Sequence, residues 1–227
     1  MSALSYFLFN IYPYVALTVL VVGCWYRFDY GQYTWKSGSS LFMNNSRYTR
    51  YALNLFHVGM IGGFFGHVVG LLTPRSWYDA YISAEMHQVL ELIAGSSFGL
   101  LLLVGAWMLL FRRFRSKAVS ATSSFADKLI LVLLVIQICL GMLTIPIDLL
   151  HPSGATLQNL INWSQGIVTF QADPAQYLVN VNWLFKTHMV LGLTIFLIFP
   201  FTRLVHICSI PIGYVLRHRQ VVKTLHD

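Results

Sequence analysis

The chain has 227 residues, 56% of them hydrophobic and only 10% charged, with apolar runs too long for a soluble core. It therefore reads as a polytopic membrane protein, and a soluble catalytic domain is excluded because the longest stretches outside those runs, 27–50 and 151–182, are too short for an independent core. The formal charge of +7 does not imply nucleic acid, because the cations collect in alternate loops, as topology requires.

The first predicted span covers residues 4–25. No Lys or Arg precedes it and a basic loop follows it, the reverse of a cleavable signal peptide, so a retained helix is expected. The second span covers 52–72 and is closed by Thr73-Pro74; the third covers 89–111. The fourth covers 129–149, with Ser124 and Asp127 placed to cap it, and the fifth covers 183–210, ended by Ile210-Pro211. Each is near the roughly 20 residues that a ~30 Å hydrocarbon core requires. Tyr12, Tyr14, Trp25, Trp77, Tyr78 and Trp183 gather near the ends, as interface belts do. Residues 157–168 form a mildly amphipathic piece between spans four and five, suited either to the membrane surface or to packing on the bundle. The expected fold is all-α: five transmembrane helices in one membrane domain, 1–227.

Of the 15 Lys and Arg, 13 fall after spans one, three and five: Arg27, Lys36, Arg47 and Arg50; Arg112, Arg113, Arg115, Lys117 and Lys128; Arg203, Arg217, Arg219 and Lys223. Arg75 and Lys186 remain for the other side. The positive-inside rule then puts the amino terminus outside and the carboxyl terminus in the cytoplasm, with a docking surface for an acidic partner as a secondary use of the charge. Cys24, Cys139 and Cys208 lie in or at apolar segments without CxxC or CxxCH, so iron–sulfur, zinc and c-type haem ligation are poorly supported.

Four histidines fall inside predicted spans, His57 and His67 on the second, His188 and His206 on the fifth. An ionisable group at membrane depth is costly and normally serves an ion path, a proton relay or a cofactor, and neutral imidazole is a common iron ligand. Two histidines per helix facing two on a partner suit two stacked haems, each iron held from both sides. The second and fifth spans run antiparallel, so the pairing must be nested: His57 with His206 and His67 with His188. The rises differ, since ten residues give about 15 Å and eighteen about 27 Å. Pro200 lies between His188 and His206 and should bend or break that helix. Gly59, Gly62, Gly63, Gly66 and Gly70 surround the second-span histidines, with Gly95, Gly99 and Gly192 nearby, giving clearance for a macrocycle or for close helix packing. Arg203, three residues before His206, is placed to pair with a haem propionate, with Arg112 and Arg50 as weaker candidates. His87 lies near the level of His67 and reads either as a solvated residue or as part of a site; His151, His218 and His226 receive no role.

Several stretches carry a resemblance: Asn10-Ile-Tyr-Pro-Tyr-Val, Arg27-Phe-Asp-Tyr-Gly-Gln-Tyr-Thr-Trp, Asn54-Leu-Phe-His-Val-Gly, Gly66-His-Val-Val-Gly-Leu-Leu-Thr-Pro, Leu134-Val-Ile-Gln, Leu143-Thr-Ile-Pro and Phe199-Pro-Phe-Thr-Arg-Leu-Val-His. End to end, the chain resembles the gamma subunit of the respiratory membrane-bound nitrate reductase, a dihaem cytochrome b. The resemblance implies an inner haem b on His57 and His206 and an outer haem b on His67 and His188, with a quinol site near Gly66, His67 and His87. It also implies partners on the cytoplasmic side, an iron–sulfur beta subunit and a molybdenum-containing alpha subunit. Members of the family carry a lysine where this chain has His87, which makes any charge there dependent on pH. Quinol would be oxidised near the outer face with its protons released outward, and its electrons would pass inward through both haems to the partner. The alternatives are a dihaem quinol-oxidising subunit of a different redox complex, and a histidine-dependent transporter, which would usually show internal repeats or helices discontinuous at mid-membrane, neither of which is seen in the sequence.

Overall fold

The computed structural model describes residues 2–31, 33, 35, 46–78, 80–150 and 153–209. Five of its helices are long and apolar enough to cross a membrane: α1 (Ala3–Tyr30), α2 (Arg47–Leu72), α3 (Ala84–Arg115), α4 (Phe125–Leu149) and the last, Trp183–Phe201. A further helix, α5 (Ala155–Val168), precedes the last span, whose α-helical part is α6 (Trp183–Ile198). No strand occurs among the described residues.

Each span begins on a side chain that accepts an otherwise unsatisfied helix N–H. Ser2, Ser46 and Ser83 accept from Ser5, Thr49 and Met86. Ser124 and Asp127 form a reciprocal capping box at the start of α4, as their spacing predicts, and Asn182 accepts from Leu184 N at 2.9 Å. These caps start α2 and α3 one turn or more before their apolar runs, so His87 lies inside α3 rather than ahead of it. Ile210-Pro211, the expected end of the last span, falls outside the described residues.

That last span ends early. Pro200 has no N–H for the ladder and cannot continue α6. The chain makes a 3-10 turn over Phe199–Phe201, extends at Thr202 (φ −116°, ψ 178°), and turns again as a 3-10 segment over Arg203–Ser209. Arg27, near the end of α1, holds this break: its Nη1 donates to the Pro200 carbonyl at 2.6 Å and to the Thr202 carbonyl at 2.8 Å. Gly23 lets α1 come this close, since a Cβ there would stand 2.8 Å from the Pro200 ring.

A second break opens α1. Residues Phe7–Ile11 form a π-turn just before Pro13, which cannot donate to the Phe9 carbonyl. The Trp163 indole N–H of α5 takes that carbonyl instead, at 3.0 Å. The amphipathic piece between spans four and five is thus a helix packed on the bundle. Leu157, Ile161 and Ile167 are buried, and Ser164 and Gln165 donate to the Leu71 and Thr73 carbonyls left open at the end of α2.

In cross-section α2 lies along α3, α3 on α4, α4 on α6, and α6 on α1. The α2–α3 contact is backbone to backbone, because a Cβ at Gly59 or Gly105 would land on the other helix's main chain. Among the described residues no extended packing joins α2 to α6, so the two helices carrying histidines face each other across a gap. Apolar side chains such as Val21, Phe65, Ile93, Leu100 and Phe111 are exposed, as lipid contact requires.

Candidate functional site

The gap between α2 and α6 brings His67 and His188 face to face, their ring centroids 6.2 Å apart and their planes inclined by 34°. Two imidazoles gripping one metal ion from opposite sides stand about 6 Å apart centre to centre, given roughly 2 Å from each nitrogen to the metal. His57, ten residues before His67 on α2, lies within electrostatic reach of His206. The Pro200 break is what brings His206 there. Had α6 run on, the eighteen residues from His188 to His206 would have spanned nearly twice the rise between His57 and His67.

All four rings are anchored the same way. Nδ1 of His57 contacts the Leu53 carbonyl at 2.7 Å, Nδ1 of His67 the Gly63 carbonyl at 2.7 Å, and Nδ1 of His206 the Arg203 carbonyl at 2.6 Å. Nδ1 of His188 contacts the Gln137 carbonyl of α4 at 3.1 Å. A carbonyl can only accept, so each Nδ1 carries the proton and each neutral ring keeps its lone pair on Nε2, the arrangement in which histidine ligates metals. His188 differs in one respect: the Gln137 amide lies 3.4 Å from its Nε2 and must swing aside for a metal to bind there.

Open space adjoins some of the glycines near His67. A Cβ on Gly63, Gly66 or Gly95 would meet nothing within 4 Å, whereas one on Gly59, Gly62 or Gly70 would collide with α3. The second group serves helix packing and the first leaves a lane beside His67. Donor set, ring separation and lane together suit iron held in a porphyrin between paired imidazoles.

The arginines collect at the His57 end. Arg203 Nε stands 3.7 Å from Asp127 Oδ1, while its Nη groups make no hydrogen bond among the described residues. Arg112 is buried at 8% exposure, and Arg113, which donates to Ser123 at 2.7 Å, lies within electrostatic reach of Arg203, Asp127 and Arg112. Arg50 is exposed, two turns before His57 on α2. At the opposite end His87 is nearly covered, its ring edge-on to Tyr78 (4.8 Å, 71°) and its Nε2 3.8 Å from Glu91 Oε1. His151, His218 and His226 lie outside the described residues. Four contributors escape the histidine pattern: Arg27, Asp127, Gln137 and Glu91. Arg27 and Gln137 lie in stretches that carry the resemblance and Asp127 in the expected helix cap, none of which points to this role, whereas Glu91 stands one helical turn after His87.

Comparison with known proteins fits this geometry. Residues 5–225 match the family described as nitrate reductase gamma subunit. The chain belongs to that family. It is 46% identical, over the whole length of both chains, to the respiratory nitrate reductase 1 gamma chain of Escherichia coli (strain K12). It is 42% identical to the respiratory nitrate reductase 2 gamma chain of the same strain, covering 97% of each. With the nitrate reductase gamma chain of Bacillus subtilis (strain 168) it shares 32% identity over 92% of this chain and 94% of the relative. Family and helices together make the chain a membrane-spanning subunit of a nitrate reductase, engaged in electron transport.

Proposed function

We propose that this gamma-subunit family member oxidises quinol near the outer membrane face and delivers the electrons to a cytoplasmic nitrate reductase. His57 and His206 would hold an inner b-type haem and His67 and His188 an outer one, and bound there the two haems would supply one-electron transfer across the membrane. The supporting observation is the His67–His188 pair, 6.2 Å apart, in a set of four histidines whose Nδ1 atoms are all tied to carbonyls. Arg203, with Arg112 and Arg50 further off, would neutralise haem propionates at the basic end. Gly66, His67 and His87 would line the quinol site, and the whole chain, 1–227, would act as one cytochrome b domain.

In this reading the amino terminus is outside the inner membrane and the basic end faces the cytoplasm. There an iron–sulfur beta subunit and a molybdenum-containing alpha subunit dock, which accords with the relatives' being gamma chains of a larger set. An electron moved across the full membrane against the potential costs about 2.3 kcal/mol per 100 mV, so oxidation at the outer end conserves energy as outward proton release. The chain's own part is to fix ring orientation, burial and propionate partners, which tune potential.

A reduced-minus-oxidised spectrum of the purified complex tests the reading and separates it from a transporter: two b-type haems per chain are expected. His67→Ala and His188→Ala should each lose the same haem, and His57→Ala and His206→Ala the other. Loss of one and the same haem in His57→Ala and His188→Ala would overturn the pairing.

A further inference from the structure

Glu91 is a carboxyl group near one end of a predicted span, and the histidine sites do not use it. It lies on α3 one turn deeper than His87, its Oε1 3.8 Å from His87 Nε2, with side-chain exposures of 31% and 12%. Its carboxyl occupies a notch in α2. Gly70, three residues beyond His67, supplies the space, because a Cβ at Gly70 would overlap Glu91 Oε1. Glu91 lies within the electrostatic field of His67 from α2 and of Asp148 from α4. No hydrogen bond or ion pair joins it to His67 among the described residues. Tyr78 packs edge-on against the His87 ring, and α5, which packs on the end of α2, carries no ionisable side chain. The groups therefore line up from the His67 lane outward, first Glu91, then His87, then the N-terminus of α3.

A helix-surface ion pair of this spacing stabilises far less than it costs to withdraw a carboxylate from water, so helix stability alone does not account for Glu91. Quinol oxidation supplies a use. The reaction gives quinone, two protons and two electrons, and each proton must leave a site walled by lipid-facing helices. Resting on the quinol reading above, we propose that Glu91 is a catalytic residue that takes each hydroxyl proton of the quinol and passes it to His87 for release outward. The quinol O–H bond breaks as a carboxyl O–H forms. That O–H breaks in turn as the proton moves to His87 Nε2, and the imidazolium then yields a proton to outside water. The haem that His67 and His188 would hold in the same reading would supply the one-electron acceptor for the two electrons. The two protons use the relay in succession, so atoms and charge balance over one quinol.

The test uses the whole complex in membrane vesicles, with menadiol as the quinol, following haem reduction from pH 5.5 to 8.5 in H2O and D2O. Glu91→Gln keeps the size of the side chain and removes the proton acceptor. Its rate should fall at least tenfold at pH 7 with a changed pH profile and a larger solvent isotope effect, while haem content and the dithionite-reduced spectrum stay as in wild type. Gly70→Ala, which keeps both relay residues but fills the notch and so displaces the Glu91 carboxyl, should slow the reaction in the same way, and it serves if the glutamine variant does not assemble. Wild-type rates and pH profile in either assembled variant would overturn the relay alone. Wild-type complex whose haems menadiol cannot reduce would overturn the quinol reading itself.

Discussion

At the scale of single residues, the decisive arrangement is a ring held from behind. Each imidazole must present Nε2 with the correct tautomer, and a carbonyl on Nδ1 ensures it. His57 and His67 take that carbonyl from their own helix four residues back, a bond inherent in α-helical spacing. His188 takes it from Gln137 on another helix, and so depends on how closely α4 approaches. Gly141 sets that approach. A Cβ there would stand 2.9 Å from His188 Cε1, well inside the roughly 3.5–4.0 Å of an ordinary carbon contact. Gly141→Ala should therefore push the ring off its carbonyl and weaken the outer haem site, by about the 10–100-fold typical of lost supporting contacts, while leaving the inner haem intact. Haem content and redox titration of the two spectral components would check this, and equal loss of both haems would count against it. The four histidines stand out in the sequence because charge-capable groups are rare in apolar runs. Gln137 and Gly141 do not, because their role depends on a contact between helices 50 residues apart in sequence.

At the scale of elements, the two proline breaks carry the architecture. Pro200 is legible in the sequence as a break, but its consequence is not, because direction after a break is set by what holds the freed carbonyls. Here Arg27 holds two of them with charge-assisted hydrogen bonds, each worth about 1.5–3 kcal/mol. Arg27→Ala should loosen the Arg203–Ser209 turn and with it His206, so the inner haem should be lost or shifted in potential while the outer haem is retained. Arg27→Lys, able to reach one carbonyl but not to fork across two, should give an intermediate shift. Unchanged inner-haem spectra and potential in Arg27→Ala would show that the turn holds itself. The Pro13 break is subtler still, because the carbonyl it frees is met by Trp163, 150 residues downstream. Periodicity and capping located the helices well, since both are local. The end of the last span was misplaced because apolar composition continues past the point where the backbone turns.

At the scale of the whole molecule, the proposed function depends on orientation, and the proposed sidedness rests on loop charge rather than on any contact. The 13-to-2 division of Lys and Arg lies in short loops beside the spans, where the positive-inside rule has its force. The fold agrees in one respect: Arg27, Arg112, Arg113 and Arg203 gather around the His57 end, away from His67, Glu91 and His87. A reporter that works only in the cytoplasm, fused after Asp227, should be active. A cysteine placed at Ser153, exposed just before α5, should react with a membrane-impermeant maleimide in intact cells once Cys24, Cys139 and Cys208 have been replaced by alanine. Labelling that appears only after the membrane is opened would reverse the orientation. Protons leaving through the His67 end would then enter the cytoplasm, and electron transfer from there to His57 would run with the membrane potential, dissipating free energy where the proposed orientation conserves it.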